Sequence, residues 1–183
     1  MKAITPLSIE NAPEGSKGIM EMATKKYSFL PNLLGNMAHA PALLKGYATL
    51  SGIFGETSFS PTEQQIVLMS NNLLNGCKYC MAAHTTIAQG QGVADDVIEA
   101  LRAGTPIADG KLEALRQFSL VINKSRGNPS ADDISTFLAA GYEEANILEV
   151  ILGTALKVMS NYTNHVAETP VDDNFAGNAW TGE

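Results

Sequence analysis

Apolar residues recur along this chain at intervals of three and four, and no strand-length stretch alternates apolar with polar. That period predicts helices following one another from end to end. Residues 1 to 12 carry no such period and read as an extended arm. From Pro13 to about Tyr27, the positions Ile19, Met20, Met22 and Ala23 mark a first helix, although Gly15 and Gly18 weaken it. Two prolines then open two more, Pro31 before Asn32 to Ala38 and Pro41 before Leu43, Leu44, Tyr47 and Leu50. Proline suits a helix start because its missing N–H would have no partner there. Ser60-Pro61-Thr62-Glu63 has the form of a capping box with proline at the first helical position. The helix it opens runs through Ile66, Val67, Met69, Leu73 and Leu74 and stops at Gly76, in the role of a C′ glycine. A further helix begins at Cys77.

The second half continues in the same way. Ala94 to Gly104 has acids in its first turn and glycine after its last, and Ala131 to Gly141 repeats its Ala-Asp-Asp, its aliphatic residue, its leucine and its closing Ala-Gly. A duplicated helical unit is the reading, and two copies do not make a solenoid. Between them Leu112, Leu115, Phe118, Val121 and Ile122 mark another helix, ended by Gly127-Asn128-Pro129. From Glu143 to about Tyr162 the chain is apolar on nearly every side, interrupted by Glu149, Gly153 and Lys157. Such a helix is expected to be buried, in part against another subunit, and its interruptions exclude a membrane span. Residues 168 to 183 read as a non-helical tail whose Trp180 docks on a neighbour. The expectation is an all-α protein in one domain over residues 1–183.

Composition narrows the class. With 45% hydrophobic and 17% charged residues, 183 residues suffice for a real core without staples. The net charge of −7 and the lack of any basic run argue against nucleic acid and against an anionic membrane surface. Met1 to Pro6 hold no apolar h-region, so the expected location is cytoplasmic, where thiols stay reduced.

The two cysteines carry the chemistry. Cys77 and Cys80 stand three apart, a separation that scattered cysteines would show about once in ninety such sequences, and His84 follows four residues after Cys80. On a helix the three form one column. The helix start favours a thiolate at either cysteine, and His84 is placed to accept a proton from Cys80, directly or through one water. Structural zinc would need four ligands, and the chain offers two thiols with His39, His84 and His165 and no second CxxC. Covalent haem would need histidine where Met81 stands, and a thioredoxin fold would need strands. A redox-active dithiol on a helical scaffold remains. Gln65, His39 and His165 read as structural because spacing alone gives them no partner, Tyr79 as a hydrogen-bond donor near the sulfurs or a cover over them, and Glu63 is already explained by its cap.

These residues resemble the AhpD-like branch of the carboxymuconolactone decarboxylase family. The resemblance rests on Ser60-Pro61-Thr62-Glu63 and on Leu74-Asn75-Gly76-Cys77-x-Tyr79-Cys80 followed by Ala82-Ala83-His84. Leu30-Pro31-Asn32 and Ala40-Pro41-Ala42-Leu43-Leu44 add to it upstream, so that it spans about residues 25 to 125, with a weaker echo from Asn161 to Asp172. It implies an all-α, AhpD-like fold with an internal helical pseudo-repeat, assembled as a dimer, trimer or hexamer. It also implies a cofactor-independent thiol peroxidase with an antioxidant role, acting on a hydroperoxide and reduced by a dithiol partner of thioredoxin-like or lipoyl type. Cys80 would be the peroxide-reactive sulfur and Cys77 the one that resolves it, with His84 and a glutamate relaying protons. The family's relay glutamate lies twelve residues before the first cysteine, where this chain has Gln65. Glu63, two residues earlier and on another side of the helix, is the acid left as a catalytic candidate. Where the family often has histidine before the second cysteine, this chain has Tyr79. The alternatives are a dithiol–disulfide oxidoreductase that never meets peroxide, a decarboxylase-like enzyme acting on a lactone, and a non-enzymatic zinc or assembly module.

Overall fold

Among the described residues, 4–182, the computed structural model contains nine α-helices, one short 3-10 helix and no strand. The N-terminal arm is irregular, as its lack of period predicts, and is fastened where the Leu7 N–H donates to the Gly35 carbonyl at 3.1 Å. Only glycine fits at that crossing, since a Cβ on Gly35 would lie 2.9 Å from Pro6 Cβ. The arm leads into α1 (Glu14–Tyr27), α2 (Asn32–Met37) and α3 (Pro41–Gly55), with Pro13 and Pro31 as N-caps and Pro41 in the first turn.

The central helix is α4 (Pro61–Leu74), packed against α5 (Lys78–Gly90), α6 (Asp95–Ala103), α7 (Gly110–Ser125) and α9 (Glu144–Ala167). Its capping box forms as the sequence predicts: the Glu63 N–H donates to Ser60 Oγ at 3.3 Å, and the Ser60 N–H donates to the Glu63 carboxylate at 2.9 Å. Gly76, at φ +65°, turns the chain out of α4 into α5, whose N-cap is Cys77. The two look-alike segments become α6 and α8 (Ala131–Ala139), each nine residues long and each followed by a glycine at positive φ, Gly104 and Gly141.

Apolar side chains collect in two clusters. The larger joins α4 to α9 and contains a parallel stack, with Phe118 and Phe137 at 4.3 Å and Phe137 and Tyr142 at 4.5 Å between ring centroids. The smaller is built from α1, α2, α3 and the start of α5, and it contains both cysteines. Tyr47 packs against both clusters, so the sulfurs lie near the seam between them.

In α9 and the tail the structure departs from the sequence reading. Rather than being covered all round, α9 exposes Leu148, Ile151, Tyr162 and Val166. The buried face of its second half is Leu156, Lys157, Ser160, Asn161, Asn164 and Ala167, mostly polar. An all-round apolar sum assumes an apolar interior, and here α9 meets the apolar cluster through Val150 and Leu156 but turns polar side chains inward along its second half. The exposed stripe is the surface on which the expected self-association would rest. In the tail, Asp173–Asn178 form a 3-10 helix against α5. Trp180 docks on its own chain rather than on a neighbour, its indole N–H donating to the Arg102 carbonyl at 3.0 Å. Arg102 in turn donates to the carbonyls of Asn178 and Ala179 at 3.0 and 2.9 Å. No helix among the described residues is long and apolar enough to cross a membrane.

Candidate active site

Cys77 caps α5 and Cys80 lies in its first turn, so the turn at Gly76 sets both sulfurs at the base of the helix. Both are free thiols, 1% and 2% exposed. A cavity of about 260 Å³ reaches Cys80 but not Cys77. Buried amides hold the pair from behind: Asn164 Nδ2 donates to Cys80 Sγ at 3.1 Å and lies 3.7 Å from Cys77 Sγ. Asn72 Nδ2 donates to the Cys80 carbonyl at 3.2 Å, and Asn161 Nδ2 donates to Asn72 Oδ1 at 3.0 Å. With their donors satisfied in this way, the amides fix the sulfurs at low dielectric, where small displacements change electrostatic energies strongly.

The two thiols are driven apart in acidity. Burial by itself raises the Cys80 thiol, but the hydrogen bond from Cys77, the charge of Lys157 and the side chains of Ser160 and Asn161 outweigh it and bring it down to about 5. Cys77 is pushed up, first because its S–H is given to Cys80, then by burial and by the charge on Cys80. At neutral pH the pair therefore rests as a Cys80 thiolate and a Cys77 thiol. The helix start was the cause legible in the sequence; Lys157 and the buried polar face of α9 were not, because nothing in the spacing joins positions 77 and 80 to position 157.

His84 faces the same cavity, yet no hydrogen bond joins it to Cys80. Its Nδ1 lies 2.9 Å from Gln65 Oε1 and its Nε2 lies 3.0 Å from Lys157 Nζ. Gln65 Nε2 donates onward to Gln91 Oε1 at 2.9 Å, which leaves Gln65 Oε1 as an acceptor. The ring hydrogen thus belongs on Nδ1, and the Nε2 lone pair accepts from the Lys157 ammonium. Burial first and the Lys157 charge second hold the imidazole neutral, well below its ordinary range. Lys157 and His84 thus form a hydrogen-bonded pair on the wall of the cavity that Cys80 reaches.

Glu63 is not brought to the cavity. Its Oε2 is taken by the Ser60 N–H and hydroxyl, and its Oε1 accepts from the Tyr142 hydroxyl at 3.1 Å. Burial opposes ionisation there, but the Ser60 and Tyr142 bonds and Lys111 outweigh it and hold the carboxyl below its usual range. Gln65, two positions on, faces inward toward His84, whereas Glu63, the acid expected as a catalytic candidate, stays at its cap. Glu63→Gln should lower stability by about 1 kcal/mol through the weakened cap, read by denaturant unfolding, and leave the thiol chemistry of Cys80 unchanged. A tenfold slower reaction of Cys80 would return Glu63 to the site.

The Tyr79 hydroxyl makes no hydrogen bond to either sulfur and instead ties the tail to the bundle. Its hydroxyl donates to Asp172 Oδ2 at 2.5 Å and accepts from the Leu33 N–H at 3.3 Å, while Asp172 Oδ1 accepts from the Asn32 N–H at 3.1 Å. Burial first, then Asp172, pushes the Tyr79 phenol up. His39 holds the arm, its Nε2 2.9 Å from the Thr5 carbonyl, and His165 is exposed on α9. Apolar and aromatic side chains wall the cavity, among them Leu33, Tyr47, Phe54, Leu68 and Phe175, with Gln64, Gln65 and Gln91 between them, and no carboxylate lines it. Among the described residues, no group of three or more His, Cys, Asp or Glu side chains could hold a metal ion.

Residues 41–119 match the sequence profile described as the carboxymuconolactone decarboxylase family. No curated protein matches the chain. Among solved structures, the chain is similar to an alkylhydroperoxidase AhpD core, an uncharacterized peroxidase-related protein from Ralstonia eutropha JMP134, at 17% identity and a TM-score of 0.83, with 96% of each chain covered. A peroxidase-related protein from Silicibacter sp. TM1040 gives 18% identity and a TM-score of 0.81, covering 97% of this chain and 96% of that one. The debrominase Bmp8, in a cysteine-to-alanine form in complex with 2,3,4-tribromopyrrole, gives 17% identity and a TM-score of 0.79, covering 97% and 96%. At such identities the likeness is one of fold, and the fold is the AhpD-like one.

Proposed function

We propose that this chain, an AhpD-like helical protein with the carboxymuconolactone decarboxylase profile over residues 41–119, is a thiol peroxidase for small organic hydroperoxides. One observation carries the reading: the sulfur on the cavity wall is the acidic one, and the sulfur behind it is the one that keeps its proton. In the first step Cys80 thiolate attacks the terminal oxygen of ROOH, forming an S–O bond and breaking O–O. The departing alkoxide takes a proton from the Lys157 ammonium, giving a sulfenic acid, ROH and a neutral amine. In the second, the Cys77 thiol displaces hydroxide from that sulfenic acid, closing the disulfide and releasing water, with the Lys157 amine carrying the proton across. A dithiol of lipoyl or thioredoxin-like type then returns two electrons and two protons.

The aromatic, acid-free cavity supports a second reading, reductive removal of halogen from a small ring, the chemistry named for one structural neighbour. The thiolate would take the halogen from carbon while Lys157 protonates that carbon. Cys77 would then displace halide as the disulfide closes. Both readings consume two thiols per turnover, and they part on the substrate.

The test is single-turnover oxidation of reduced protein by cumene hydroperoxide, with thiols counted over time, beside a parallel run with a brominated pyrrole. The expected result is loss of two thiols per chain and one equivalent of peroxide. Proton donation by Lys157 should make it faster than free cysteine at the same pH by about a hundredfold or more. Reaction with the bromopyrrole alone would replace the first reading by the second. Oxidation only by other disulfides would leave a dithiol–disulfide oxidoreductase.

A further inference from the structure

We infer that closing the Cys77–Cys80 disulfide turns the inner end of the cavity into a binding site for a small monovalent anion, held by Lys157. The inference rests on the proposed redox cycle to this extent, that the pair must be able to form the disulfide. Lys157 is 1% exposed, and its Nζ has three donors but one protein partner, the neutral His84 Nε2 at 3.0 Å. No carboxylate lines the cavity, and the two ion pairs among the described residues, Lys17–Glu14 and Arg116–Glu113, lie elsewhere. The other groups facing this space are the side chains of Tyr27, Tyr47 and Tyr79 and, on α1, the exposed Lys26. The counter-charge of Lys157 in the reduced protein is therefore the Cys80 thiolate itself.

Forming the disulfide removes that negative charge, and Lys157, whose own proton left in ROH, becomes an ammonium again by taking one proton from solvent through the open side of the cavity. A buried cation without a partner is strongly unfavourable. The space beside it, within a cavity of about 260 Å³ that also reaches solvent-exposed Gln91, admits an anion of a few heavy atoms. Halide and small carboxylate share the required chemistry. The reduced protein, with a thiolate already in place, repels both.

Linkage provides the test. An anion that binds only the oxidised protein shifts the disulfide–dithiol equilibrium toward the disulfide, in proportion to its concentration once above its Kd. Wild type is titrated in dithiothreitol redox buffers over a range of sodium bromide and, in a second arm, sodium acetate, with thiols counted throughout. Each tenfold rise in anion should move the equilibrium constant up to tenfold, about 30 mV. Lys157→Gln, in the same salts, should show no such shift. Lys157→Arg, which keeps the charge, should retain it and covers the case in which the glutamine variant does not fold. Chloride NMR line widths should broaden with oxidised and not with reduced wild type. Bromide acting alone assigns a halide site, and acetate acting alone assigns a carboxylate site. An equilibrium insensitive to both, a shift of equal size in Lys157→Gln, or equal broadening in the two redox states overturns the inference. A protein that forms no disulfide at all refutes the proposed redox function instead, so the two failures are distinct.

Discussion

Serine at position 80 should abolish peroxide-dependent oxidation, whereas serine at position 77 should leave one fast event and then arrest. Cys80 is the sulfur that reaches the cavity, and a serine hydroxyl is no nucleophile at neutral pH. The thiol left in Cys80→Ser belongs to Cys77, which is buried behind the cavity wall, so its oxidation should fall to the rate of a buffer blank. In Cys77→Ser the first step survives, because a hydroxyl can still donate to the thiolate. One thiol per chain should disappear, a sulfenic acid should be trapped by dimedone, and excess peroxide should carry it to sulfinic acid. Cys77→Ala removes the donor altogether, so its Cys80 should titrate higher and react more slowly at pH 7 than in Cys77→Ser. Mass spectrometry of the trapped adducts reads all three variants. Peroxide-dependent thiol loss in Cys80→Ser would reverse the assigned roles.

Much of this was written in the chain. Proline and capping signals placed the starts of α2, α3 and α4, and Gly76 placed the end of α4 before the cysteines, because caps and turns depend on a few adjacent residues. The i, i+3, i+7 spacing put Cys77, Cys80 and His84 in one column, since they share a single helix. What crosses between helices was not legible. Lys157 reads as an interruption in an apolar run, and only packing shows that it faces His84 73 residues away in sequence. The helix was expected to end at about Tyr162, yet it runs on to Ala167, with Asn161 and Asn164 inside while Tyr162 and Val166 lie outside. Buried polar groups at positions where a core would be apolar mark a site, and a hydropathy period registers them as noise. Glu63 shows the opposite situation. A carboxylate near the right position drew a catalytic role, although its capping box at Ser60 already engages one of its oxygens, and the Tyr142 hydroxyl takes the other.

Lys157→Met should slow the reaction of Cys80 with hydroperoxide by about a hundredfold at pH 7, and the loss should depend on pH in a way that identifies its cause. In the wild type the Cys80 thiol, at about 5, is fully ionised at neutral pH, so the rate should be level from pH 6 to 8. Burial of the sulfur opposes ionisation, and Lys157 is one of the few groups that outweigh it. With methionine in its place, burial regains ground and the thiol moves upward toward its ordinary value of about 8.5. The thiolate then becomes the minor form at pH 7, and the rate should climb about tenfold per pH unit below the new value. Raising the pH restores the thiolate but not the proton that Lys157 gives to the leaving alkoxide, so a deficit of about tenfold or more should persist at the alkaline plateau. Lys157→Arg separates the two contributions: it keeps the charge, and with it the level profile, but holds its proton too tightly to donate. Methionine is close to lysine in volume and removes a buried charge, so thermal unfolding should show a folded protein. A methionine variant with the wild-type pH profile and rate would remove Lys157 from the chemistry and return the proton transfer to His84.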